Sequence, residues 1–312
     1  MIEYNGILLD KKDYDVLKSL EKKRGRSIPY KDISEWNDRY MNAFDAKDGK
    51  IIHLILHSHT EKLKDFPKEI TELVGLKSLI LVSIPLQSIP KDISNLSSLE
   101  LIQFEATNLS IFPTEITNLP ILKKLYLIEN KLAYISSTIE NLKSLRELSL
   151  EGNIIGEIPN NLSNLANLEI LTLFHNKIKI LPDSVRNLKN LKELYLDDNK
   201  LTNLSNSIGG LKSLKTLSVS ENQISMLPSS VGELISLEDL DLSNNLLSDL
   251  PDTITNLRSL KHFDLSYNRI NSFPKTIENL KSLNTLYLQG NQFSKIPEEL
   301  ENLKEKGVNV YI

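Results

Sequence analysis

The stretch LKELYLDDNK, residues 191–200, decides how this chain is read. Its asparagine, Asn199, belongs to a series spaced by 23 residues: Asn130, Asn153, Asn176, Asn199, Asn222, Asn245, Asn268 and Asn291. Eight positions before each stands a leucine, from Leu122 to Leu283, and twelve positions after each stands another, from Leu142 to Leu303. The unit reads LxxLxLxxNxLxxIPxxIxNL. Its LxL part alternates apolar and polar residues, which predicts a strand with one buried face, and its IPxxIxNL part predicts a short helical turn. Proline suits the first position of such a turn, where its missing N–H would be unpaired anyway. One strand and one turn cannot bury their own apolar side, but stacked copies can, so the leucines predict a continuous core along a solenoid.

Where the chain bends after the strand, a buried amide side chain can pair the inward-turned backbone groups of successive coils, so the asparagines are expected to be structural. Three earlier units are looser. LKSLILVSI and LELIQFEAT carry Ile84 and Thr107 in the asparagine column, and IIHLILHSH carries His59 and is followed by a unit two residues longer. Thr107 can still donate and accept a bond, whereas Ile84 cannot. Ser136 and Ser205 stand where other units have proline.

Across about residues 51–305 the sequence resembles the leucine-rich repeat family, in the 23-residue class that also occurs in Ras-suppressor-like scaffold proteins and in bacterial and archaeal repeat proteins. The resemblance implies an α/β solenoid: a right-handed superhelix, or horseshoe, with a parallel concave sheet, short helical turns on the convex side and a partner protein bound on the concave face. About eleven repeats then fill residues 51–312. Residues 297–312 close the stack with a helix opened by Pro297 and stopped by Gly307, then an edge strand in VNVYI. Residues 1–50 are expected to form a helical cap, with a separate binding domain as the alternative. Its first helix has Asp10 as cap, Tyr14, Leu17 and Leu20 on one face and Gly25 as stop. Its second, in SEWNDRYMNAF, is capped by Ser34 with Trp36, Tyr40 and Phe44 on one side.

At 312 residues the chain is too long for one ordinary core, which agrees with a repeat array. A net charge of -4, from 37 basic and 41 acidic residues, gives no bulk attraction to nucleic acid or anionic lipid. There is no cysteine, hence no disulfide and no thiolate chemistry. No signal segment and no membrane span is apparent, so the expected location is the cytoplasm.

If the leucines of LxL point inward, the residues six, four, two and one before the asparagine column face outward. Those columns hold Glu105, Glu129, Glu147, Glu151, Glu193, Asp197, Asp198, Glu221, Asp239, Asp241 and Asp264, one lysine, Lys124, and no arginine. Apolar and aromatic residues stand among them: Ile55, Ile80, Val82, Tyr126, Ile128, Ile170, Phe174 and Tyr195. Aromatics in a polar surround are the material of protein interfaces. The later units offer a small polar strip of Ser218, Ser220, Asp241, Ser243, Asp264 and Ser266, with Tyr267 and Tyr287 as aromatic exceptions. The expected partner contacts are Tyr126, Ile128, Glu147, Glu151, Ile170, Phe174, Glu193, Tyr195, Asp197, Asp198, Glu221, Asp239, Asp241 and Asp264, and the expected partner is a protein with a basic or mixed basic-apolar surface.

Sites for chemistry are scarce. His53 and His57 lie about 13 Å apart in an extended strand, too far for one metal, and His59 falls in the inward column. No phosphate-cradling GxxxxGK[ST] and no GxGxxG occurs. The sequence therefore reads as a monomeric, non-catalytic interaction scaffold that needs no cofactor or metal. Two alternatives stand beside it: an exported repeat protein binding host or matrix components, and a metal-dependent enzyme using Asp239, Asp241 and Asp264.

Overall fold

A computed structural model describes residues 1–32, 42–58, 63–295 and 297–312. The chain packs into two compact units, Met1–Asn153 and Ile154–Ile312.

The first unit begins with a β-hairpin, β1 (Ile2–Tyr4) against β2 (Ile7–Leu9). Asn5 and Gly6 turn it with φ of 51° and 82°, the left-handed pair that a tight hairpin demands. Helix α1 (Lys11–Arg24) follows: Asp10 caps it by accepting from the Asp13 N–H at 2.8 Å, and Gly25 ends it at φ 74°. Strands β3 (Ala43–Lys47) and β4 (Lys50–His57) form a second hairpin through Asp48 and Gly49, at φ 51° and 80°. Strands β5 (Ser78–Val82), β6 (Leu101–Glu105), β7 (Lys124–Tyr126) and β8 (Glu147–Ser149) then add in parallel order beside β4. The expected second helix does not extend to Ala43 and Phe44, which belong to β3; residues 34–41 of that segment, including Ser34, Trp36 and Tyr40, lie outside the described residues, as does His59. The correction has a local cause, because Asp48-Gly49 sets a hairpin and so draws the preceding residues into a strand.

The second unit repeats one coil. Strands β9 (Ile170–Thr172), β10 (Glu193–Tyr195), β11 (Thr216–Ser218), β12 (Asp239–Asp241), β13 (His262–Asp264) and β14 (Thr285–Tyr287) pair in parallel, each residue facing the one 23 positions on. Helix α2 (Glu298–Glu305) leads into β15 (Asn309–Tyr311), which pairs with β14. Pro297 is the residue before α2.

Each coil returns through a short 3-10 turn, such as Thr114–Asn118 in the first unit and Asp183–Asn187 in the second. Proline stands just before the turn rather than in its first position; Pro182 has φ -68°, close to the angle its ring imposes. Where proline is missing, a hydroxyl replaces it. Ser136 Oγ accepts from the Thr138 N–H at 3.3 Å and Ser205 Oγ from the Ser207 N–H at 3.0 Å. The leucines fill the interior of both units: Leu188, Leu191, Leu194, Leu196 and Leu201 are each wholly buried. At about 2 kcal/mol for each leucine withdrawn from water, that core is the main force holding the coils.

The asparagine column joins neighbouring coils. Asn199 Nδ2 donates to Leu173 O, Leu196 O and Asp197 O at 3.0, 3.0 and 3.1 Å, while its Oδ1 accepts from the Ile178 N–H at 2.9 Å. Asn222, Asn245 and Asn268 repeat the pattern. Every amide thus satisfies carbonyls and an N–H that would otherwise be buried without partners.

Candidate functional site

The outward positions of the strands form the candidate site, and each unit has its own stretch of it. In the first unit Tyr126, at the end of β7, is half-buried and its hydroxyl contacts Glu147 on β8. Lys124 Nζ reaches Glu147 at 2.8 Å, so the one lysine of the expected face is already matched by an acid of the same face. Ile128 and Glu151 lie past the strand ends, both half-buried. Two expected outward residues are inside instead: Ile55 is 3% and Val82 2% exposed. Of the apolar residues expected to face outward in this unit, Ile80, Tyr126 and Ile128 do so, a shorter set than the alternation of the strands predicts.

In the second unit the strands carry two outward residues each. The first column is Ile170, Glu193, Thr216, Asp239, His262 and Thr285; the next is Thr172, Tyr195, Ser218, Asp241, Asp264 and Tyr287. Tyr195 donates its hydroxyl to Glu193 Oε2 at 3.0 Å. Burial first, then that bond and the charges of Glu193, Asp197 and Asp239, push the Tyr195 phenol up to about 12. It stays a neutral donor at any physiological pH. Asp197 is satisfied within the protein, its Oδ1 accepting from the Ser218 hydroxyl and from the N–H and hydroxyl of Ser220 at 3.0 and 2.7 Å. Asp241 accepts from the Ser243 N–H at 2.9 Å, and Asp264 from the Ser266 N–H and hydroxyl at 2.8 and 2.6 Å. Burial raises the Asp241 carboxyl above its ordinary value against the pull of the Ser243 bonds, and the charges of Asp264 and Asp197 raise it further. Phe174 packs edge-on to His175, whose ring contacts Asp198.

The column directly before the asparagines is not part of the strands. Glu129, His175, Asp198, Glu221, Asn244 and Tyr267 have φ between 50° and 54° except Asp198 at 46°, and Gly152 and Gly290 fill the same place at 65° and 73°. These residues form a left-handed bend after each strand, so Glu129, Asp198 and Glu221 project from the turn rather than from the sheet face that the sequence assigned them. The period of two that predicts outward positions ends where the strand ends. Non-glycine residues tolerate this conformation because the asparagine amide and the neighbouring coils hold the backbone there.

Between Tyr195 and Tyr287 the sheet face dips into a cavity of about 190 Å³, lined by Thr216, Ser218, Asp239, Asp241, His262 and Asp264 with Leu217, Leu240 and Phe263 as floor. In the second column Ser218, Asp241 and Asp264 on β11 to β13 stand between Tyr195 on β10 and Tyr287 on β14, and that difference in height makes the hollow. Among the described residues no three of His, Cys, Asp and Glu are grouped to hold a metal ion. No described helix is long and apolar enough to cross a membrane.

Family models for a leucine-rich repeat region, matching residues 129–219 and 186–263, and for a leucine rich repeat, matching residues 235–293, together cover more than half of the chain. The chain belongs to the leucine-rich repeat proteins. Its fold is the leucine-rich repeat solenoid. Among solved structures it is similar to a leucine-rich repeat protein of Leptospira interrogans at 26% identity and TM-score 0.51, covering 91% of this chain and 99% of that one. It is also similar to a plant ice-binding protein, at 26% identity and TM-score 0.69 with 85% and 89% covered. A third is the ectodomain of the membrane receptor kinase GASSHO1/SCHENGEN3 from Arabidopsis thaliana, solved in complex with CASPARIAN STRIP INTEGRITY FACTOR 2, at 30% identity and TM-score 0.63. That likeness covers 80% of this chain but 34% of the ectodomain, so this chain spans about a third of the ectodomain's length. No curated protein matches the sequence.

Proposed function

We propose that this chain is a protein-binding repeat module and that its partner seats on the outward strand face. The observation that carries the reading is the composition of that face in the second unit: Ile170, Phe174 and Tyr195 stand half-exposed among Glu193, Asp239, Asp241 and Asp264, with no lysine or arginine in the two strand columns. Half-buried aromatics ringed by polar groups supply contact area at low entropic cost, and a field of one sign speeds association with a partner of the other. The partner's contact surface is accordingly basic and apolar. In the first unit Tyr126 and Ile128 supply similar contact area, with Glu147 and Glu151 beside them. Similarity to a receptor ectodomain solved with a bound factor supports binding as the role of such a solenoid.

The test is site-directed photocrosslinking. A benzophenone amino acid placed at Tyr126, Phe174 or Tyr195 should capture partners from a lysate of the source cells, whereas the same group at Ile180 or Met226, 68% and 71% exposed away from the strands, should not. Identical captures from both sets would contradict the reading.

A further inference from the structure

We infer that the outer edge of β15 pairs with the same edge of a second copy of this chain, in antiparallel register about Val310. The inference goes beyond the strand-face reading, since it uses main-chain groups at the end of the sheet rather than side chains on its face.

The main chain carries the first part of the argument. β15 stands last in its sheet and pairs with β14 alone among the described residues. The Asn309 N–H donates to Asn284 O at 2.9 Å and Tyr311 O accepts from the Leu288 N–H at 2.7 Å, so those two residues turn their polar groups toward β14. Val310, between them, turns its N–H and C=O the other way, because successive residues of a strand alternate. Such an edge is a template for another strand, and proteins commonly block it with lysine, proline or a bulge. The run Val308-Asn309-Val310-Tyr311-Ile312 has no proline and no charged side chain, and β15 pairs with β14 without a break in register. The first unit shows what a covered edge looks like: beside β3 the Lys31 N–H donates to Phe44 O at 2.9 Å and the Phe44 N–H to Pro29 O at 3.1 Å.

The pattern of the run then selects the occupant. Val308 and Ile312 lie two residues to either side of Val310, and Asn309 and Tyr311 lie one to either side. In an antiparallel self-pair Val310 meets its own counterpart and the two exchange both N–H and C=O bonds, Ile312 meets Val308 of the second copy, and Tyr311 meets Asn309. The Val308 N–H is already held by Leu303 O at 3.1 Å, so its C=O is the group that takes the N–H of the second copy's Ile312. Apolar side chains thus face apolar ones on one side of the joined sheet, where Ile312 is otherwise 48% exposed. On the other side Tyr287 and Tyr311 already stack with centroids 5.0 Å apart, and the two-fold axis continues that row into the same pair of the second copy, as diagonal neighbours within reach of aromatic rings. A strand of other sequence could fill the main-chain bonds, but a second copy also matches side chains across the axis with no charge opposed. Five residues of strand span about 17 Å and bury less than a permanent dimer needs, so the pair is reversible, with a dissociation constant on the order of 0.1 mM.

The experiment is sedimentation equilibrium of the folded chain from about 10 µM to about 1 mM, which brackets that constant and should show monomer passing into dimer and no larger species. Val310→Pro removes the outward N–H and spares the bonds to β14, so it should melt with the wild type while its dissociation constant rises at least about tenfold. Val310→Lys and Val310→Glu each set like charges face to face and should stay monomeric alone, and an equal mixture of the two should dimerise again. A wild-type chain that stays monomeric throughout, a dimer unchanged by Val310→Pro, or folded charge variants that fail to associate on mixing would overturn the inference. Crosslinking at Tyr126, Phe174 and Tyr195 reads the strand face separately, so loss of those crosslinks removes the face and leaves the edge standing.

Discussion

The first coils of the amino-terminal unit and the coils of the carboxyl-terminal unit solve the same problem differently. From Asn176 to Asn268 an asparagine joins each coil to its neighbour, and strands β9 to β14 are three residues long. In the first unit, where Ile84 and Thr107 occupy that column, β4, β5 and β6 run for 8, 5 and 5 residues. In the second unit the amide of Asn199 bonds the Leu173 and Leu196 carbonyls just past the ends of the three-residue strands. Without the amide, backbone pairs with backbone for longer. Thr107 is the intermediate case, donating its N–H and hydroxyl to Asn130 Oδ1 at 3.0 and 2.8 Å. What both units require is paired backbone groups, and the residue in the column decides which partner meets that need.

The largest test of this contrast is Asn222→Ala set against Thr107→Val. Asn222 joins four buried or part-buried backbone groups, so its loss should cost roughly 2–4 kcal/mol in urea denaturation, whereas Thr107→Val removes one hydroxyl bond and should cost about 1 kcal/mol. Equal losses would break the comparison. A smaller effect probes what the two units share: Ser136→Ala in the first and Ser205→Ala in the second each remove a capping hydroxyl and should lower stability by about 1 kcal/mol, alike in both.

The smallest effect belongs to the first unit alone. Asp13 is wholly buried, accepts from the Ile51 N–H at 2.7 Å and lies 3.8 Å from Lys50. Burial raises its carboxyl, against the Ile51 bond that lowers it. A raised folded-state value means that the proton is held more tightly in the folded chain. The resulting stabilisation is present in acid, below the unfolded value of about 3.9, and is lost as pH rises through the folded value. Asp13→Asn keeps an acceptor for Ile51 and carries no charge, so melting curves should show it gaining on the wild type as pH rises from acid to neutral. A constant difference across that range would count against the buried charge.

Much of this fold could be read directly from residues. The 23-residue spacing placed every strand from β7 to β14, the turns that follow them, and the asparagine ladder, because those features repeat and each copy tests the others. The amino-terminal hairpins were missed although Asn5-Gly6 and Asp48-Gly49 are the dipeptides that tight hairpins favour. Of the candidate site, Tyr126, Ile170, Glu193, Tyr195, Asp239, Asp241 and Asp264 stand on strands as the alternation predicts, and Ile128, Glu151, Phe174 and Asp197 lie just beyond them.

By itself, then, the sequence determined which side chains enter the core and which columns stay outside it, since both follow from a short period acting along the chain. Three things waited for the tertiary structure. The left-handed bend at Glu129, Asp198 and Glu221 depends on coils held against one another. The burial of Ile55 and Val82 and the hollow between Tyr195 and Tyr287 depend on the relative heights of side chains 23 or more residues apart. Depth is a property of neighbouring strands taken together, and no single repeat contains it.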